Sequence, residues 1–167
     1  DGGLDPRLAG HLSTDSDDPN RDPAAFDAVG RLAFGDLEIS EDETTLWLVN
    51  LNNRTLYEIF IGVPFQTPTA ADVTAHPIPN VGGCSNGEYV PFGLGVRDGL
   101  VYLGVVCTAQ TSRDIADLDG FVFTHDPAGA DGNFTQVFEM DLTYPRGAVS
   151  VAGSIQPSAR WRPWIST

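Results

Sequence analysis

Hydrophobic and polar residues alternate in short runs along most of this chain, with a period near two rather than the longer period of a helix. Residues 34–40, 46–51 and 54–61 are rich in β-branched and aromatic side chains, and Glu41-Asp42-Glu43-Thr44 and the tight Asn52-Asn53 joint separate them. Runs of that length bounded by turn formers predict strands. Residues 66–78 predict an outer strand, because Pro64, Pro68 and Pro77 on or beside the run remove amide donors that an edge can spare. Residues 92–96, 100–107, 120–125 and 134–142 predict four more strands. Arg97-Asp98-Gly99-Leu100 reads as a two-residue hairpin turn, and His125-Asp126-Pro127-Ala128-Gly129 with Asp131-Gly132-Asn133 as the turn before the last strand.

The plan restarts. Ala33-Phe34-Gly35-Asp36-Leu37, Pro91-Phe92-Gly93-Leu94-Gly95 and Pro145-Arg146-Gly147-Ala148-Val149 are versions of one strand opening, with glycines 58 and then 54 residues apart. Leu46-Trp47-Leu48 matches Val101-Tyr102-Leu103, and Leu56-Tyr57-Glu58-Ile59 matches Phe121-Val122-Phe123. A strand-built repeat of this length predicts an all-β fold of β-propeller blades with four antiparallel strands each. Regular turns also suit a β-sandwich, but the glycine-led restart favours blades. The expected units are an acidic segment at 1–31, a blade at 32–79, a blade at 80–142, and the start of a third blade with a Trp-containing tail at 143–167, an incomplete ring. Within the first segment, residues 22–30 predict a short helix, with Asp22 as cap, Pro23 at its first position and Gly30 as its stop. Trp161 and Trp164 in the tail are expected to dock onto a neighbouring blade or a partner chain, since each has on the order of 200 Å² to bury.

Charge narrows the function classes. The 167 residues carry 23 Asp and Glu against nine Arg and no Lys, a net charge of -14. Nucleic acid is disfavoured, because the clustered cations that neutralise phosphates are scarce. No apolar run approaches the roughly 18 residues that cross a bilayer, so no membrane insertion is expected. The chain lacks an initiating Met, and a longer native protein is expected. The two cysteines are Cys84 and Cys107. Counting back from the Asp98-Gly99 turn sets Cys107 opposite Val90, and the glycines around Cys84 let that loop fold over the hairpin end, within the ~5.5–6 Å a disulfide prefers. A disulfide and an oxidising compartment are expected.

In a propeller, the loops from an outer strand to the next blade share one face with the loops from the second strand to the third, and that face commonly binds. In the second blade these are the long loops 79–90 and 108–119, tied together by the expected disulfide. Candidate ligand-binding residues there are Asn86, Glu88 and Tyr89 on one loop and Arg113, Asp114 and Asp117 on the other. Asn52, Asn53 and Arg54 join from the first blade and Arg146 from the third opening. Asp15, Asp17 and Asp22, in the acidic run 15–22, offer oxygen donors for Ca²⁺, although the glycine and distal Glu of an EF-hand loop are missing. His11, His76 and His125 fall in unrelated segments and do not predict a zinc cluster. No Gly-x-Ser-x-Gly elbow occurs, and the glycine-rich stretches open no helix that would cradle phosphate.

Leu46-Trp47-Leu48-Val49-Asn50-Leu51-Asn52-Asn53-Arg54-Thr55-Leu56-Tyr57 resembles the core hairpin of NHL, YVTN and SMP-30-type propellers. The segment Asp22-Pro23-Ala24-Ala25-Phe26-Asp27-Ala28-Val29-Gly30, then Phe34-Gly35-Asp36-Leu37-Glu38-Ile39-Ser40, Gly104-Val105-Val106-Cys107 and Tyr144-Pro145-Arg146-Gly147, resembles a propeller region of large secreted bacterial surface proteins. Those proteins also carry SdrD-B-like repeats, and the likeness spans most of residues 17–164. It implies an extracellular or cell-surface setting and further blades, and brings no assigned chemistry. The SMP-30 resemblance implies a divalent metal on the innermost strand, with Asp36, Glu38 and Asn50 as ligands. The leading expectation is a non-catalytic module that binds a protein or glycan through its loop-rich face, needing no cofactor beyond optional Ca²⁺. The remaining blades, or a second chain, would pack on its open ends. The alternatives are a metal-dependent hydrolase of the SMP-30/gluconolactonase type and an assembly fragment of a larger propeller.

Overall fold

The structure, a computed structural model, describes residues 17, 28–80, 84, 89–129, 134–145, 147, 149–151, 154–156 and 160–164. It is all-β. Strands β1 (Phe34–Ile39), β2 (Thr45–Asn50), β3 (Thr55–Phe60) and β4 (Val73–Pro77) form one antiparallel sheet in sequence order. Strands β5 (Tyr89–Arg97), β6 (Leu100–Cys107), β7 (Asp119–His125) and β8 (Phe134–Asp141) form a second sheet of the same order. A hairpin of β9 (Val149–Val151) and β10 (Ser154–Gln156) follows, and among the described residues no ring closes. Helix is confined, among the described residues, to the 3-10 turns Ala70–Asp72 and Ile115–Asp117.

The turns follow from local chemistry. Asp98 and Gly99 have φ of 53° and 76°, the left-handed pair that a two-residue hairpin with native twist requires. Between β1 and β2 the Asp42 carboxylate accepts bonds from Ser40 Oγ (2.6 Å), Thr44 N (3.1 Å) and Thr44 Oγ1 (2.8 Å). Those donors, the Ser40 hydroxyl first, hold its pKa below the usual carboxylate value. Asn50 Oδ1 accepts from the amides of Asn52 (3.0 Å) and Asn53 (3.4 Å), an Asx turn that folds β2 into β3.

Two expectations need correction. The outer strand of the first sheet is shorter than 66–78, because the Pro68 region and the 3-10 turn occupy its first half. Cys107 pairs with Tyr89, and Val90 with Val106, one step from the expected register. A bulge between Pro91 and Leu94 adds a residue to β5 and shifts everything beyond it. The expected helix at 22–30 lies mostly outside the described residues; its end is a turn in which Arg31 N and Leu32 N both donate to Ala28 O.

The two sheets bury opposite faces against each other. Trp47, Val49 and Leu51 of β2 and Leu56 of β3 enter one cluster with Val101, Leu103 and Val105 of β6 and Phe121 and Phe123 of β7. Trp47 is inside, yet Tyr102, at the matching place on the second strand of the next sheet, is not; its neighbours Val101 and Leu103 turn inward instead. The first strands, β1 and β5, run beside each other. Asp36 Oδ2 accepts the Leu94 amide at 2.9 Å, and Glu41 Oε2 the Gly99 amide at 3.0 Å.

Both first strands carry a bulge, between Phe34 and Leu37 and between Pro91 and Leu94, with Gly35 and Gly93 inside them. A Cβ on Gly35 would sit 2.9 Å from Leu51 Cδ2 and 3.2 Å from the Phe92 carbonyl oxygen, whereas one on Gly93 would meet nothing within 4 Å. Gly35→Ala is therefore expected to destabilise by about 1–3 kcal/mol through overpacking. Gly93→Ala should stay within about 0.5 kcal/mol of the parent. Urea unfolding of the pair checks this, and equal effects would contradict the close approach of β1 to β5.

Candidate functional site

One end of the two sheets gathers the β2–β3 turn, the start of β5, the β6–β7 loop and the 160–164 segment. The disulfide Cys84–Cys107 ties this end together, with Cα atoms 5.4 Å apart and both cysteines buried. Arg54, at the left-handed φ of 54°, lays its guanidinium 4.6 Å over the Tyr89 ring. The Tyr89 hydroxyl donates to the Ile78 carbonyl at 2.7 Å in the interior, so this tyrosine anchors the loop base with only its ring face in play. Asn53 Nδ2 donates to the Tyr57 hydroxyl at 2.8 Å, and Asn52 is exposed in the same turn.

The β6–β7 loop is shaped by its own backbone. Arg113 takes a φ of 58° and its amide donates to Ala109 O at 2.8 Å, while Asp114 Oδ1 caps the 3-10 turn by accepting from the Ala116 amide at 3.0 Å. A small second core of Ala109, Leu118 and Leu142 supports this loop, with Ile115 and Trp161 packed against it. Trp161 meets Tyr144 edge to face at 6.3 Å, and the Trp164 amide donates to Thr108 O at 3.0 Å. The tail thus docks on the second sheet's loops.

That docking makes a cleft of about 730 Å³, lined by Arg113, Asp114 and Ile115 on one wall and Arg160, Trp161 and Arg162 on the other. Three of the chain's nine cationic residues border one cleft on a protein of net charge -14. None of the three guanidinium groups has an ion-pair partner among the described residues. A guanidinium presents planar, paired donors that match carboxylate and sulfate oxygens. Arg113 and Asp114 were legible from the loop's length; Arg160 and Arg162 were not, and the Arg-Trp-Arg run was their signal. Asp117, also a candidate, is half-buried on the 3-10 turn. Asn86, Glu88, Arg146, Asp15 and Asp22 lie outside the described residues, and Asp17 is an exposed turn residue.

The nominated metal ligands on the first sheet have other partners. Asp36 accepts the Leu94 amide and, through Oδ1, its neighbour's amide at Leu37, and Asn50 serves the Asx turn. Glu38 faces Trp47 across β1 and β2 in the pairing register. Among the described residues no group of three or more His, Cys, Asp or Glu is placed to hold a metal ion.

Sequence reasoning separated His76 from His125, and the fold joins them. Their ring centroids are 4.4 Å apart between the sheets, Trp47 lies 5.8 Å from His125, and His76 Nε2 sits 2.9 Å from Glu58 Oε2. A second missed cluster is acidic: Asp119 pairs with Asp141 across β7 and β8. Burial, then the charges of Asp141 and Glu139, push the Asp119 carboxyl above its usual value. The folded chain therefore holds a proton there more tightly than the unfolded one, and stability falls as pH rises from 3.8 through the raised value. Asp119→Asn is expected to raise the melting temperature at pH 7, with the gain vanishing below about pH 3.8. Melting curves across pH 3 to 8 measure it; a loss of stability at neutral pH would overturn the reasoning.

Among the described residues, no helix is long and apolar enough to cross a membrane. No family model matches the chain, and no solved structure matches it. Two curated proteins of Dictyostelium discoideum are similar to it. Colossin-B is 28% identical over 149 residues, covering 82% of this chain and 4% of that protein. Colossin-D is 28% identical over 142 residues, covering 83% of this chain and 13% of that protein. The chain spans a small part of the relatives it matches.

Proposed function

We propose that the chain is a non-catalytic extracellular binding module of propeller type, whose loop-rich end takes a ligand bearing carboxylate or sulfate groups, such as an acidic glycan. One observation carries the ligand class: Arg113, Arg160 and Arg162 border a single cleft, free of ion-pair partners among the described residues, on an otherwise acidic protein. The volume of about 730 Å³ suits a few sugar rings. Trp161 and Pro163 add apolar wall against which a ring can lie. The disulfide fits an oxidising, extracellular setting.

The blade reading draws support from how the sheets meet. A sandwich buries the apolar face of each sheet against the other and leaves polar outer faces. Here the sheets meet through opposite faces, and the outer face of the first sheet is as apolar as its inner one. The binding reading is tested by calorimetric titration with heparin oligosaccharide, polyuronate and a neutral glucan at low and high salt. The charged polymers should bind with salt-sensitive affinity. The triple variant Arg113→Ala, Arg160→Ala, Arg162→Ala should lose roughly tenfold or more, about 1.4 kcal/mol. Equal binding by the triple variant would remove the cleft from the function.

A further inference from the structure

Among the described residues, the outer face of the first sheet is an unpaired half of an interface that the molecule already contains once. Two cross-strand rows cover it. Ile39, Leu46, Ile59 and Val73 stand opposite one another across β1 to β4, and Leu37, Leu48, Tyr57 and Ala75 form the next row. None of these eight residues is buried; Leu37 and Ile39 are 53% and 45% exposed. Soluble monomers rarely leave so continuous an apolar surface open without a use for it.

The second sheet has matching rows in the same register. Val96, Val101, His125 and Phe134 form one, and Leu94, Leu103, Phe123 and Gln136 the other. There the central members are fully buried, because the Trp47 face of the first sheet lies on them. What fits the open rows is therefore a sheet face of the Trp47 kind: an aromatic residue on the second strand followed at alternate positions by smaller aliphatic ones. The outer face of the second sheet has that pattern, with Tyr102, Gly104 and Val106 on β6 and Val122 and Phe138 beside them on β7 and β8. Phe138 is 53% exposed.

We infer that the open face of the first sheet docks the outer face of the second sheet of another copy of this chain, head to tail, repeating between molecules the packing seen within one. The inference rests on the blade reading proposed above, though not on the ligand. A contact between two different faces is heterologous, so it adds copies in one direction and closes only if the rotation allows. A face of three six-residue strands and one of five spans roughly 20 Å by 20 Å, below the standard size of specific interfaces, so weak association in the micromolar range is expected.

Sedimentation velocity on the full chain from about 1 to 200 µM tests it. The parent should shift to larger species with concentration, and Leu37→Glu and Phe138→Glu should each stay monomeric. Both sites are exposed, so the variants should melt like the parent; Leu37→Thr and Phe138→Thr substitute if either does not. The decisive arm mixes the two variants. Each retains one intact face, so the mixture should restore dimers and nothing larger. A parent that stays monomeric, a Phe138 variant that associates like the parent, or a mixture that fails to pair would overturn the inference. Heparin oligosaccharide titrated onto the monomeric variants reads the ligand reading separately, so either can fail alone.

Discussion

Trp47→Ala is expected to remove about 3–5 kcal/mol of stability, the range for deleting a large aromatic from a core. The indole is 2% exposed and fills the space where the two sheets meet, with ring centroids 6.1 Å from His76 and 5.8 Å from His125. Truncation leaves a void that neighbouring strands cannot close, because their registers are set by backbone bonds on both sides of β2. Water would then reach two imidazoles now held between the sheets. Against a typical net stability of about 5–15 kcal/mol, this is enough to bring the chain near unfolding at 37 °C. Trp47→Phe keeps an aromatic in place and should cost much less. Chemical denaturation followed by circular dichroism measures both, and a loss under about 1 kcal/mol for alanine would show that the sheets do not depend on this contact.

Removing the disulfide is the second large effect. Cys84 and Cys107 are 23 residues apart in sequence, and closing a loop of that length in the unfolded chain is worth about 3 kcal/mol on the chain-entropy account. The paired Cys84→Ala, Cys107→Ala variant should melt about 6–12 °C below the parent, given roughly 2–4 °C per kcal/mol for a domain of this size. Cys107 ends β6 inside the main core, and Tyr89, its partner across the ladder, carries the Arg54 guanidinium. Loss of the bond should therefore loosen the loop-rich end first. Calorimetry gives the melting shift, and limited proteolysis shows where cleavage begins; an unchanged melting temperature would mean that packing alone holds Cys84 in place.

Elements were the most legible part of this protein, because each depends on a few consecutive residues. Leu100–Cys107 appears as expected, and β7 begins one residue before the expected strand. The Asp98-Gly99 turn was visible because only residues tolerant of positive φ fit it. The Cys84–Cys107 pairing was also legible, since the miscounted register was off by only one position. The bulge that displaced the register was not, because counting residues back from a turn does not reveal where one strand of the ladder gains an extra residue.

The candidate site was half legible. Loop length pointed to Arg113 and Asp114, but Arg160 and Arg162 reach the same cleft only because Trp161 finds the Ala109, Leu118 and Leu142 core, a contact between segments far apart in sequence. Asp36 and Asn50 were candidate metal ligands through the SMP-30 resemblance; in the fold Asp36 Oδ2 accepts the Leu94 amide of the next sheet, and Asn50 Oδ1 accepts the Asn52 and Asn53 amides of its own turn.

By itself, then, the order of residues determined the strands, the hairpin turns, the acidic surface and the cysteine pair, all of which arise from short-range sterics, composition or simple chain geometry. Only the tertiary structure decided which face of each sheet is covered, that His76 meets His125, and that three arginines share one cleft. Those outcomes depend on packing between elements dozens of residues apart, where alternation tells which residues share a face and leaves open what that face will meet.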